Sequence, residues 1–270
     1  IHAEGRRGRG LIEDARVMVA EAVGGEPRNV IFTSGGTEAN ALALSPVNGN
    51  SKQTIENLIV SSIEHASVLT GGRFAPDRIT RLPVDRSGLV DLDALRAMLV
   101  RQPPSLVSIM LANNETGAIQ PVAEAARLVH EAGGLLHADA VQATGKIHID
   151  IRGLNVDFLS LSAHKVGGPK GTGALVLAEN RSHPAALMRG GGQERGGRAG
   201  TGLRGRREGG RNNPRHRNGP DSSPARSAGG WLETNARRRD LLAGGLAPAE
   251  YDTFRCSHLE SGDGRGQIRP

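Results

Sequence analysis

The chain has 270 residues and a hydrophobic content of 37%, enough for one large globular domain with a buried core. No apolar run is long enough to span a bilayer, and the start of the chain lacks the charged-then-apolar layout of a signal peptide. A single cysteine, Cys256, excludes an internal disulfide framework. We therefore expect a soluble protein of the cytoplasm, with no membrane partner.

The net charge of +6 is concentrated at the C-terminal end. Residues 201–270 carry 13 basic and 8 acidic side chains, whereas residues 1–200 carry 21 and 20. A basic segment can bind nucleic acid. Aromatic residues make up only 2% of the chain and the tail repeats no motif, so the composition disfavours a nucleic-acid partner.

Residues 11–177 alternate apolar runs with amphipathic stretches. In chain order they predict a helix at 11–23, a strand at 29–33, a helix that starts at 37 after a glycine-rich turn, and a strand at 58–61. Further on they predict a helix at 92–100, a strand at 106–111, a helix at 122–132, and strands at 135–139 and 158–161. This alternation predicts an α/β fold, with a mostly parallel or mixed sheet covered by helices on both faces. Ligands of such sheets collect at the carboxyl ends of the strands.

Two of the polar segments that follow strands suit a cofactor. Ser34-Gly35-Gly36-Thr37 is a glycine-rich turn that opens a helix, which suits a phosphate, although a plain turn with Thr37 as helix cap explains it equally well. His65 follows the next strand and could stack on a flat ring or move protons. By itself His65 is more typical of a structural or surface histidine.

Two further segments carry amide and carboxylate side chains. Asn113 and Asn114 could bind a ligand, but locally an Asx-type turn is favoured. Asp139 ends an apolar strand with Gln142 nearby, and a buried carboxylate needs a partner such as a protonated pyridine nitrogen. A helix-capping aspartate is the alternative.

The segment from Ser160 to Gly171 is the most specific. Lys165 lies between an apolar strand and a glycine-rich turn, where a solvated surface lysine is not usual. A lysine held there with a lowered pKa can form a Schiff base. Ser162 and His164 flank it with donors that suit a phosphate.

In this order the segments resemble the cysteine desulfurases of the nitrogen-fixation and iron–sulfur-assembly type, within the class V, fold-type I pyridoxal-phosphate enzymes. The resemblance covers residues 1–201, which would form a pyridoxal-phosphate-binding large domain, incomplete at its N-terminus. It is carried by the motifs SGGTEAN, EHASV, NNETGAIQP, HADAVQATGK, SAHKVGGPKGTGAL and GGGQERGGRAGT.

The resemblance implies a role for each matching residue. Lys165 would bind pyridoxal 5′-phosphate covalently, and His65 would stack on the ring and act in acid–base steps. Asp139 would pair with the ring nitrogen, Gln142 with the ring hydroxyl, and Asn114 would approach cofactor and substrate. The phosphate would be bound by Gly36, Thr37, Ser162 and His164 and, from the neighbouring subunit of a homodimer, by Thr201. No metal ligand is implied.

The implied reaction removes sulfur from L-cysteine, leaves alanine and passes a persulfide to an iron–sulfur scaffold or another acceptor protein. Two alternatives stay open: another class V enzyme, such as a selenocysteine lyase or an aminotransferase, and a non-catalytic protein with a basic nucleic-acid-binding tail.

The match stops at Gly202. Residues 202–270 are rich in Gly, Arg, Pro and Ser, without helix or strand periodicity over most of their length, and we interpret them as a disordered tail or the product of a frameshift near codon 202. Cys256 lacks the family's catalytic-cysteine motif, so the resemblance leaves open whether this chain is active as it stands, and we expect it to have low stability.

Overall fold

The computed structural model describes residues 3–46, 55–101 and 104–178, and also residues 184, 185 and 187. The role of Thr201, the interpretation of Cys256 and the division at residue 202 lie outside these ranges and remain predictions.

Seven strands form one mixed sheet within the described residues. In chain order they are β1 (Val30–Thr33), β2 (Asn57–Ser61), β3 (Ile79–Leu82), β4 (Ser105–Met110), β5 (Leu135–Asp139), β6 (Phe158–Ser162) and β7 (Gly173–Leu177). Their order across the sheet is β1-β7-β6-β5-β4-β2-β3. Across the sheet, β3, β2, β4, β5 and β6 are all parallel, whereas β7 is antiparallel to both β6 and β1. The mostly parallel sheet is therefore confirmed.

Helices cover both faces of the sheet, as expected. They are α1 (Ala3–Ala22), α2 (Gly36–Ala43), α3 (Ala66–Leu69), α4 (Leu92–Arg101) and α5 (Val122–Glu131), with 3-10 turns at Pro27–Asn29, Pro76–Arg78 and Ala163–Val166. Buried residues of α1, α4 and α5 share one hydrophobic core, and those of α2 and α3 share a second. No helix among the described residues is long and apolar enough to cross a membrane.

Three elements were not predicted from the sequence, namely β3, α3 and β7. β3 is an edge strand whose sequence, Ile-Thr-Arg-Leu, has one buried residue. α3 is a single turn of helix after His65. β7 is an apolar run of five buried residues, too short to show a period of its own.

The pairing of β7 brings the ends of β1 and β6 together. Gly173 lies opposite Ser162 on one side and opposite Thr33 on the other. A Cβ atom at Gly173 would lie 2.6 Å from the backbone of Gly35, so only glycine allows this approach. Because β7 is antiparallel to both neighbours, β1 and β6 run in the same direction. Their carboxyl ends therefore lie at the same edge of the sheet as those of β2, β4 and β5.

Candidate active site

The turn between β1 and α2 forms one side of the site. Gly35 is the N-cap of α2, and no side chain caps the helix within the described residues. A Cβ atom at Gly36 would lie 2.8 Å from Cγ2 of Val141 and 3.5 Å from Cβ of Ser162. The backbone of Gly36 thus closely faces the end of β6. Thr37 is exposed in the first turn of α2, so the alternative of Thr37 as helix cap is wrong, because Gly35 occupies that position.

The 3-10 turn after β6 carries the three residues predicted at its end. Ser162 is buried, and its Oγ lies 2.9 Å from Nδ1 of His164. His164 and Lys165 are exposed on the turn, which Gly167 ends in a left-handed conformation with φ of 85°. The structure therefore brings Gly36, Ser162 and His164 together, with Lys165 next to them in the chain.

Lys165 is more accessible than its sequence context indicates. Flanked by an apolar strand and glycines, it was expected to be shielded from solvent, yet its side chain is exposed. The reason is geometric, since the strand ends at Ser162 and the 3-10 turn projects beyond the edge of the sheet.

Asp139 is the buried carboxylate at the end of β5. Its Oδ2 accepts a hydrogen bond of 2.8 Å from Nδ2 of Asn40, and its Oδ1 accepts one of 2.9 Å from the Val141 amide. Burial raises the pKa of Asp139, while these two bonds and the nearby His65 lower it in part. No helix begins at Asp139, so the alternative of a helix-capping aspartate is wrong, and the bond to Val141 closes a turn instead. The carboxylate keeps further lone pairs, so this turn does not exclude a ligand.

His65 is linked to Asp139 through two intervening side chains. Nδ1 of His65 lies 2.8 Å from Ser67 Oγ and accepts a bond of 3.2 Å from the Ser67 amide, which caps α3. Nδ2 of Asn40 donates to Ser67 Oγ over 2.9 Å as well as to Asp139. The structural role expected of an isolated histidine is thus present, together with a connection to the candidate site.

Sequence reasoning missed Asn40 and Glu64. Asn40 is buried on α2, and the signal that could have identified it is its place in the SGGTEAN motif. Glu64 is buried beside His65, and its Oε1 accepts a hydrogen bond from the Met110 amide at the end of β4. Burial, and then the charge of Asp139, raise the pKa of Glu64 well above its ordinary value. Glu64 Oε2 is buried with no hydrogen-bond partner in the described part of the chain.

The loop after β4 is built around Asn113. Its Oδ1 accepts bonds of 2.9 Å from the amides of both Glu115 and Thr116, so the Asx-type turn is confirmed. Asn113 also donates to the carbonyl of Ile63, which ties this loop to the loop of His65 over 3.3 Å. Asn114 is exposed at the same edge of the sheet.

Gln142 is half-buried after β5, and its Oε1 accepts a hydrogen bond of 2.9 Å from Lys146. A ligand group that binds Oε1 of Gln142 would have to compete with Lys146.

The residues present fit a cofactor that has a phosphate and a protonated ring nitrogen. A side chain at Gly36 would fill the space between α2 and β6, so glycine keeps a backbone concavity opposite Ser162. Asp139 offers a buried anion at the neighbouring strand end. Three exposed residues, Lys165, His164 and His65, follow strand ends at the same edge. This donor set can neutralise a phosphate, pair with a ring nitrogen and form a covalent bond to an aldehyde.

The chain is similar in sequence to known proteins. The chain is 44% identical over 205 residues to the cysteine desulfurase IscS of Dictyoglomus turgidum, covering 74% of this chain and 51% of that protein. It is 42% identical over 204 residues to the cysteine desulfurase of Homo sapiens, with 74% and 44% covered. The chain thus spans about half the length of these relatives.

A solved structure with the same fold is the NifS-like protein from Rickettsia africae. It superimposes with a TM-score of 0.70 at 31% identity, covering 90% of this chain and 61% of the other. The family model described as aminotransferase class-V matches residues 1–203. The chain therefore belongs to the class V aminotransferase family, whose members of the cysteine desulfurase type use pyridoxal phosphate.

Proposed function

We propose that this chain is part of a pyridoxal-phosphate-dependent cysteine desulfurase, which takes sulfur from L-cysteine, leaves alanine and passes the sulfur on for iron–sulfur cluster assembly. The observation that carries the proposal is the meeting of the Gly36–Ser162 concavity and the buried Asp139 carboxylate at one edge of the sheet. It is supported by 42–44% identity to cysteine desulfurases over the segment that holds these residues.

Each residue of the site has a role in this proposal. When bound, pyridoxal phosphate supplies an electron sink for bonds at the substrate's α carbon. Lys165 provides the amine that attaches it, and the exposed position of Lys165 leaves that amine accessible to an incoming substrate amine. Asp139, whose carboxylate accepts hydrogen bonds from Asn40 and the Val141 amide, would stabilise positive charge on the ring nitrogen. The backbone of Gly36 and Thr37 at the start of α2, with Ser162 and His164, binds the phosphate.

His65 is proposed to stack on the ring and to hold a proton near the reacting atoms. Asn114 would approach cofactor and substrate, and Gln142 would bind the ring hydroxyl once its bond to Lys146 is exchanged. Thr201 would reach the phosphate of the neighbouring subunit, so the proposed assembly is a homodimer, with a sulfur-acceptor protein as partner. The proposed location is the cytoplasm, because the chain has a single cysteine.

Lysine mapping tests the attachment of the cofactor. The purified chain is incubated with pyridoxal phosphate, reduced with borohydride, digested and analysed by mass spectrometry. The expected result is a phosphopyridoxyl group on Lys165 that is lost in Lys165→Arg and kept in Lys170→Arg, a matched exposed lysine five residues away. Labelling spread evenly over surface lysines would contradict the proposal.

Product analysis tests the substrate. The chain loaded with cofactor is given L-cysteine, L-selenocysteine, or an amino acid with a keto acid. Alanine is expected from L-cysteine, with its sulfur passed to an acceptor thiol as a persulfide. Selenide with no sulfur release, or amino transfer to the keto acid, would assign the chain to another activity of the same family.

A further inference from the structure

Two side chains connect Asp139 and His65, to which the proposed function gives separate roles. A continuous path of hydrogen bonds runs from Asp139 through Asn40 and Ser67 to His65, with heavy-atom distances of 2.8, 2.9 and 2.8 Å. Asn40 is 1% exposed, so the middle of the path is shielded from water. Hydrogen bonds in such surroundings are stronger and more directional than at the surface.

The direction of each bond follows from the chemistry of its donor. The amide nitrogen of Asn40 has two hydrogens, and it lies within bonding distance of Ser67 Oγ and Asp139 Oδ2. Asp139 as a carboxylate can only accept. Turning the Asn40 amide over would place Oδ1 against the carboxylate oxygen, where two acceptors repel. Asn40 keeps the present orientation although its Oδ1 is then buried without a partner in the described ranges.

The direction continues to the imidazole of His65. Because Ser67 Oγ accepts from Asn40, its own proton is available for Nδ1 of His65, 2.8 Å away. The Ser67 backbone amide also points at Nδ1, over 3.2 Å, and an amide can only donate. Nδ1 must therefore present a lone pair, which leaves the proton of the neutral ring on Nε2. Nε2 makes no hydrogen bond within the described chain, so its proton is available to another molecule.

We propose that Asn40 and Ser67 are positioning residues that hold His65 as its Nε2–H tautomer through a directed hydrogen-bond chain from the carboxylate of Asp139. His65 then meets the reacting atoms as a proton donor at Nε2. The proposal rests on the proposed function only for that last step, because the tautomer itself is a property of the chain without cofactor.

The test is ¹⁵N NMR of histidine-labelled full-length chain without cofactor, at about pH 8, where histidine rings are neutral. The ring signals of His65 are assigned by their loss in His65→Gln. The expected wild-type result is a protonated Nε2 and an unprotonated Nδ1, with well-separated shifts. In Ser67→Ala and in Asn40→Leu, which keep the longer bond from the residue 67 amide, the two shifts should move part of the way toward each other, toward the values expected for an exposed ring such as that of His148.

Two variants distinguish positioning from a general disturbance of the fold. Ser67→Thr keeps the hydroxyl and should restore the wild-type shifts. Thr70→Val removes a hydroxyl that contacts the Ser67 carbonyl in the same short helix but lies outside the chain, and it should leave His65 unchanged. Should Asn40→Leu fail to fold, Ser67→Ala alone decides.

A proton on Nδ1 in the wild type, or wild-type shifts in Ser67→Ala, would overturn the proposal. Lysine mapping on the same preparations separates this outcome from failure of the proposed function. Wild-type tautomer with no adduct on Lys165 would contradict the cofactor assignment and leave the hydrogen-bond chain intact. An adduct on Lys165 together with a proton on Nδ1 of His65 would support the cofactor assignment and contradict the hydrogen-bond chain.

Discussion

Nε2 of His137 lies 2.9 Å from Oγ of Ser160, on the neighbouring strand and inside the sheet. Its Nδ1 lies 2.8 Å from Ser108 Oγ on the strand at the other side, so one imidazole joins β4, β5 and β6. The ring is 0% exposed, and burial lowers the pKa of His137 to about 3. His137 and Asp139 are two residues apart on β5 and therefore share one face of the sheet.

The burial of His137 makes stability depend on pH. The unfolded chain binds a proton at His137 below a pKa of about 6.5, and the folded chain does not until about pH 3, so the free energy of unfolding falls as pH falls between these values. In His137→Gln we expect a slope smaller by roughly 1.4 kcal/mol per pH unit between about pH 4 and 6. Urea unfolding at several pH values measures it. His148→Gln, at an exposed histidine, should keep the wild-type slope. Parallel curves for wild type and His137→Gln would contradict a buried neutral imidazole.

Glu64 should have the opposite pH dependence. Its pKa is raised in the folded state, so the folded chain retains a proton that the unfolded chain loses above about pH 4.3. The free energy of unfolding therefore falls as pH rises, until the folded carboxyl itself ionises. Glu64→Gln imitates the protonated carboxyl, so we expect the variant's stability relative to wild type to increase from about pH 5 to pH 8.

The matched control for Glu64 is Glu115→Gln, an exposed position close to the same edge of the sheet. It should follow the wild-type curve at all pH values. If Glu64→Gln were less stable than wild type by the same amount at each pH, the carboxyl would not be protonated in the folded chain.

A methyl group at Gly36 should damage the candidate phosphate site. The added Cβ would lie 2.8 Å from Cγ2 of Val141, a stiff β-branched side chain, and overpacking of this kind costs about 1–3 kcal/mol of stability. We expect Gly36→Ala to unfold at lower denaturant concentration and to bind pyridoxal phosphate more weakly. The double variant with Val141→Ala should recover much of the stability.

Gly10→Ala is the control for this substitution. Nothing lies within 4 Å of a Cβ atom at Gly10, which is in α1, and alanine there should stabilise the helix by about 0.5–1 kcal/mol. A loss of stability in Gly36→Ala that Val141→Ala does not relieve would show that the contact with Val141 is not the cause.

Asp157 precedes β6 and lies at the opposite ends of the strands from the candidate site. A substitution there should lower stability and leave the site intact. Its Oδ2 accepts bonds of 2.8 Å from the Leu136 amide and of 2.8 Å from Nε2 of His130. Asp157→Ala leaves a buried amide without its acceptor, so we expect a loss of about 2 kcal/mol in unfolding free energy. Asp77→Ala, whose side chain is 79% exposed, should change it by less than about 0.5 kcal/mol.

Attachment of the cofactor to Lys165 is also measured in Asp157→Ala and Asp77→Ala. Because Asp157 lies away from the carboxyl ends of the strands, the folded variant should still be labelled at Lys165. Loss of labelling in a folded Asp157→Ala chain would show that this edge contributes to the site.

Local sequence pattern determined much of this protein. Five of the seven strands and the helices α4 and α5 lie within two residues of their predicted bounds, because apolar spacing and turn residues act over short distances. The placement of Gly36, His65, Asp139 and Ser162 at one edge also followed, since parallel strands end on the same side.

Only the tertiary structure decided which of those side chains meet. Asn40 and Asp139 are 99 residues apart, and no local pattern specifies that α2 packs so that the amide reaches the carboxylate. The burial of Glu64 and the exposure of Lys165 depend on how far each loop projects from the sheet. Insertion of β7 between β1 and β6 depends on the close approach of Gly173 to Gly35. These are properties of packing between distant segments, in which shape and burial decide the outcome and the order of residues within one segment does not.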